Sequence, residues 1–94
     1  MKIRFYIDES GRPHIDKHGV TEDEVAGAFQ NIFEDRLGRE NSRIAICRTG
    51  SGRILKVIYA PESKDEVFII SARELIGSQL KAFRRRMKKR YGKK

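Results

Sequence analysis

Arg43-Ile44-Ala45-Ile46-Cys47-Arg48, Arg53-Ile54-Leu55-Lys56-Val57-Ile58-Tyr59-Ala60 and Glu66-Val67-Phe68-Ile69-Ile70-Ser71-Ala72-Arg73 are three apolar-rich runs. Only Thr49-Gly50-Ser51-Gly52 and Pro61 to Asp65 separate them. Short runs of this kind, bounded by Gly, Ser, Pro and Asp, read as strands joined by turns. Connections this short join antiparallel neighbours. Residues 43–73 therefore predict a three-stranded meander. In the middle run Arg53, Leu55, Val57 and Tyr59 share one face, and Ile54, Lys56 and Ile58 share the other. The third run is apolar on both faces, as expected of a central, covered strand.

Upstream, Met1 to Asp8 alternates, with Ile3, Phe5 and Ile7 opposite Lys2, Arg4, Tyr6 and Asp8. That is a half-buried strand. Glu9 to Pro13 breaks it with turn residues. His14 to His18 is short and ambiguous, and Ile15 could add a brief returning strand. Thr21-Glu22-Asp23-Glu24 is a capping box, and Val20 and Val25 fit a hydrophobic staple around it. Val25, Phe29, Ile32 and Phe33 recur at helical spacing. The spacing predicts a helix from about Glu22 to Phe33, then a polar loop over 34–42. Downstream, Ser78 suits an N-cap. Leu80, Phe83, Met87 and Tyr91 form a core-facing stripe on a second helix. The expected fold is one α+β domain spanning 1–94. It has a small antiparallel sheet, made of an N-terminal strand and the meander, packed by two helices.

The chain has 94 residues and a net charge of +8, distributed unevenly. Residues 81–94 hold nine Lys/Arg and no acid, whereas residues 1–80 are nearly neutral. The basic C-terminal helix and tail, about 78–94, should attract a polyanion in a salt-dependent way. A merely solubilising tail is the plainer alternative. No run is apolar and long enough for a membrane span, and no signal peptide is evident, so a cytoplasmic protein is expected. The single Cys47 excludes an internal disulfide, and in a strand it reads as a buried, inert thiol.

Metal chemistry finds little support. His14 and His18 are four apart, but Pro13 and Gly19 bracket them and no third ligand is obvious. Neither a metal nor a cofactor is expected. Neighbouring carboxylates occur only at turns. Thr49 to Arg53 lacks the Gly-Lys-Ser/Thr ending of a phosphate loop and reads as a hairpin turn. The informative set is His18, Arg48, Arg53, Lys56, Tyr59, Ser71 and Arg73, on or beside the sheet. Metal-free RNA cleavage needs a base for the 2′-hydroxyl, a cation for the phosphate and an acid for the leaving oxygen. His, Arg, Lys and Tyr can fill those roles. The structural alternative is that strand-end arginines stay solvated and Tyr59 is core with a wet hydroxyl.

His18-Gly19-Val20-Thr21 with its acidic helix start resembles the Lys-His-Gly-Val segment of BrnT-type toxins. Gly52 to Tyr59 and Ile69-Ile70-Ser71-Ala72-Arg73-Glu74 resemble that family's two later strands, in the same order, over roughly residues 14–90. The resemblance implies a RelE-like fold, metal-independent RNA cleavage and a companion antitoxin. Carried over by position, it assigns His18, Arg53, Tyr59 and Arg73 to catalysis and Ser71 to RNA contact, with Arg48 and Lys56 beside them. Arg84, Arg85, Lys88 and Lys89 are expected to hold RNA. The family's Trp-bearing opening is absent, and Phe68 stands where many members carry Arg. A non-catalytic RNA- or ribosome-binding module and an antitoxin-like or other protein-interaction subunit are the competing expectations.

Overall fold

The computed structural model describes residues 1–91. Its elements are β1 (Lys2–Phe5), a 3-10 helix (His14–His18), α1 (Glu22–Ala28), β2 (Ile32–Leu37), β3 (Arg43–Arg48), β4 (Ile54–Ser63), β5 (Glu66–Glu74) and α2 (Gly77–Tyr91). The five strands form one sheet in the order β1-β5-β4-β3-β2. The meander is present as expected, with β3, β4 and β5 antiparallel in sequence. Two features differ from expectation. The sheet is mixed, because β1 lies parallel to β5, and it has a fifth strand, β2. The parallel pairing follows the chain's route. After β1 the chain crosses one face through the 3-10 helix and α1, then enters the sheet at its opposite edge.

The first helix is shorter than the spacing predicts. Its capping box is in place, with Thr21 Oγ1 accepting from the Glu24 N–H and Glu24 accepting from the Thr21 N–H. It stops at Ala28 because the apolar residues that follow serve two different faces. Phe29 meets Tyr59 edge-on at 5.0 Å, while Phe33 packs beside Phe83 at 5.9 Å. No single helical stripe can do both. Residues 32–37 then form an edge strand, not a loop. The charges that suggest a loop are paired across elements. Asp35 binds Arg43 and the Tyr59 hydroxyl, and Glu34 binds Arg86 of α2.

The sheet is covered on both sides. Ala45, Cys47, Leu55, Val57, Tyr59, Val67, Ile69 and Ala72 face Ile15, Val20, Val25 and Ala28. On the other side Ile46, Leu75 and Phe83 are buried, with Phe33, Ile44, Ile54, Leu80 and Met87 around them. The stripe on α2 thus runs from Leu80 to Met87. Tyr91 continues the spacing but is 69% exposed. The helix begins at Gly77, so Ser78 lies in its first turn instead of capping it. The segment expected to return as a strand near Ile15 is the 3-10 helix, closed by Gly19 at φ 71°. Residues 92–94, the end of the expected tail, lie outside the described residues. No described helix is long and apolar enough to cross a membrane.

The capping box is the local signal that starts α1, and the bond from the Glu24 N–H needs the Thr21 hydroxyl, whereas the bond from the Thr21 N–H to Glu24 would survive its loss. Thr21→Ala should therefore lower stability by about 1 kcal/mol. A urea titration would show this as a lower midpoint at unchanged slope. An unchanged midpoint would mean that tertiary packing alone sets the helix start.

Candidate active site

One irregularity in β5 decides which side chains reach which face. Ile58 pairs with Ser71 and Tyr59 with Ile69, so Ile70 is an extra residue in β5, a β-bulge. Before the bulge Val67 and Ile69 point into the core, and after it Ala72 does. Strict alternation from Val67 and Ile69 would bury Ser71 and Arg73. The bulge instead sends both to the face carrying Lys56 and Ile58. Lys56 lies directly opposite Arg73, and Ile58 opposite Ser71. These four residues, with Gln79 from the first turns of α2, line an open cavity of about 280 Å3.

His18 joins this group from the 3-10 helix. Its Nε2 lies 3.4 Å from Arg73 Nη2. A guanidinium only donates, so the Nε2 lone pair is the acceptor and the imidazole is neutral in this contact. Burial first, then the positive charge of Arg73, hold the His18 pKa below its ordinary value. The 3-10 helix is closed behind His18 by a second arginine. Arg53 Nη1 donates to the Gly19 carbonyl at 3.3 Å and to Glu24 at 2.8 Å. Its Nε lies 3.5 Å from Glu74.

Of the expected residues, Lys56, Ser71 and Arg73 are therefore brought together at the cavity, and His18 meets the group through Arg73. The others are not. Arg53 is on the core face, clamped between two carboxylates, and so is a positioning residue for the turn after His18. Tyr59 is buried, with its hydroxyl donating to Asp35 at 2.7 Å. Burial and the Asp35 carboxylate push its pKa up to about 12. It belongs to the core. Arg48 and Arg84 border a separate cavity of about 350 Å3 floored by Phe33, Ile54, Phe83 and Met87. Arg85, Lys88 and Lys89 are exposed on α2. Cys47 is fully buried, and burial pushes its thiol up to about 12, so it takes no part in chemistry near neutral pH.

Sequence reasoning passed over three relevant side chains. Gln79 enters only because α2 packs across the sheet. Arg4 sits 5.6 Å above the Phe68 ring, so the neighbouring strand places a cation where Phe68 stands. Asp8 accepts from His14 Nδ1 at 3.1 Å. The spacing of His14 and His18 was the available signal for that last group. Among the described residues no group of three or more His, Cys, Asp or Glu side chains is arranged to hold a metal ion. Compared with known proteins, the chain matches no family model, no curated protein and no solved structure.

Since folding holds the His18 pKa below its ordinary value, the unfolded chain takes up the proton first as pH falls. The contribution of this group to stability is thus whole above the ordinary histidine range and declines as pH drops through it. In an NMR titration the His18 ring resonances should show a midpoint below that of a free imidazole. Arg73→Ala should move the midpoint upward. A midpoint at or above the free value would remove the Arg73–His18 contact from the account.

Proposed function

We propose that this chain is an endoribonuclease that cleaves RNA by attack of a 2′-hydroxyl on its adjacent phosphate. The observation that carries the reading is the contact of neutral His18 with Arg73, beside Lys56 and at the rim of an open polar cavity. No carboxylate lines that cavity. Two cations there favour a phosphate, and an unprotonated imidazole supplies the base. In the free protein Arg73 occupies the His18 lone pair. Substrate would draw the guanidinium onto a phosphate oxygen and leave Nε2 to the 2′-hydroxyl. Lys56, opposite Arg73, would hold a second oxygen as negative charge grows on the phosphate. Ser71 and Gln79 supply neutral hydrogen bonds to sugar or base. The resemblance noted from the sequence supports the same reading and extends it to a companion antitoxin that covers this face.

The test is a time course on a long labelled RNA in the presence of a chelator. The parent should give discrete fragments. Arg73→Ala should slow their appearance about 100-fold, the scale for losing one donor to a developing anion. Arg53→Ala should act through the placement of His18, and Tyr59→Phe should cost stability more than rate. Intact RNA at all times would overturn the reading.

A second reading rests on α2. Arg86 is tied to Glu34 and Arg90 to the Phe33 carbonyl, which fixes the helix on the sheet. Among the described residues Lys81, Arg84, Arg85, Lys88 and Lys89 make no ion pair, and they form an ordered cationic surface suited to RNA without chemistry. Replacing Arg85, Lys88 and Lys89 together by Ala should weaken RNA binding. The slope of log affinity against log salt should fall by about 2, as three lost phosphate contacts on a single strand require. An unchanged slope would exclude these cations from the interface.

A further inference from the structure

A general base alone leaves the departing 5′-oxygen without a proton, and a second imidazole stands beside the first. The His14 and His18 rings are 5.5 Å apart and meet edge to face. His14 is held by Asp8, whose carboxylate is only 6% exposed and lies 3.1 Å from His14 Nδ1. Asp8 is itself fixed by the Ser10 N–H and hydroxyl and by Lys17 at 3.5 Å. The hydrogen bonds from Ser10 keep this carboxyl well below the usual carboxylate range, so it carries its charge near neutral pH. A charged carboxylate at Nδ1 takes that nitrogen's proton as its hydrogen bond. The exchangeable position of the ring is then Nε2. His14 keeps a side chain 27% exposed, so its ring is not sealed in the core.

We infer that His14 is a catalytic residue of the cleavage proposed above: the general acid that protonates the leaving 5′-oxygen, oriented by Asp8. The inference rests on that proposed reaction. His18 Nε2 takes the proton of the 2′-hydroxyl as the 2′-oxygen–phosphorus bond forms. The phosphorus–5′-oxygen bond breaks with its electron pair going to oxygen, and His14 Nε2 gives that oxygen its proton. The products are a 2′,3′-cyclic phosphate and a 5′-hydroxyl. Each ring ends in the other's starting state, and water restores both. Asp8 is a positioning residue that never meets the substrate. The two histidines are thus assigned opposite tasks by their partners. Arg73 donates to one ring, and a carboxylate accepts from the other.

The test uses two RNAs of one sequence, cleaved in chelator at a mapped site. One has the natural 5′-oxygen there, and the other has a 5′-bridging sulfur. A thiolate leaves without a proton, so sulfur removes the need for the acid but not for the base. His14→Asn keeps an N–H donor toward Asp8 and loses proton transfer. It should cut the natural RNA at least about 100-fold more slowly than the parent, the usual scale for a general acid. On the sulfur RNA that deficit should shrink at least tenfold. His18→Ala should be equally impaired on both. Equal deficits of His14→Asn on the two RNAs, or none on either, would overturn the assignment and leave the proposed cleavage standing. A parent that cuts neither RNA would overturn the cleavage itself, and this assignment with it.

Discussion

The extra residue in β5 is the constraint on which the rest of the molecule depends. Val67, Ile69 and Ala72 are needed by one core, and Ser71 and Arg73 by the opposite surface. Those demands conflict in a regular strand, where alternation has a period of two. Ile70, unpaired with β4, resolves the conflict by shifting the phase once. The strand can then be apolar toward α1 from Val67 to Ala72 and still deliver an arginine beside Lys56. Bulges commonly aim a side chain in this way next to active sites. Without it, Arg73 would be pressed into the layer occupied by Leu55 and Val57, both fully buried.

The meander, the start of α1 and the alternation in β4 could be read directly from residue order. Each rests on a local rule, such as a capping box, a turn or a period of two. The errors arise where a residue's partner is remote. Glu34, Asp35 and Arg36 look like a solvated loop until Arg86, Arg43 and Tyr59 are folded against them. Phe29 and Phe33 look like one helical stripe until the sheet is placed between them. The direction of β1 has no local signature, since a strand's sequence does not state whether its neighbour runs parallel. Half of the candidate site follows the same pattern. His18 and Arg73 stood out by chemistry and meet in space, whereas Arg53 and Tyr59 have similar chemistry on the face toward α1. Asp8 and Gln79 gain meaning only from three-dimensional proximity.

Charge is distributed with a division of labour. The acids Asp8, Glu24, Glu34 and Asp35 each hold scaffold cations or polar groups, at the 3-10 helix, at α1 and along β2. None of them lines the cavity beside Arg73. Arginines therefore fall into two kinds. Arg43, Arg53 and Arg86 are neutralised in place and stiffen the sheet. Among the described residues Arg73, Arg84 and Arg85 meet no carboxylate, and Arg73 turns to His18 instead. The difference between the two kinds is set by whether a carboxylate stands opposite.

The parallel pairing of β1 with β5 has a consequence for the order of events in the cell. Arg4 and Glu66 are 62 residues apart, and the strands they belong to are neighbours. A ribosome releases the chain N-terminus first, so β1 and the histidines behind it emerge long before β5 exists to receive them. Until then they lack the strand that places Arg73. The cavity is completed only when β5 and the first turns of α2 have left the exit tunnel. Truncated products of interrupted translation, ending before β5, would carry both histidines without the strand that sets Arg73 beside His18.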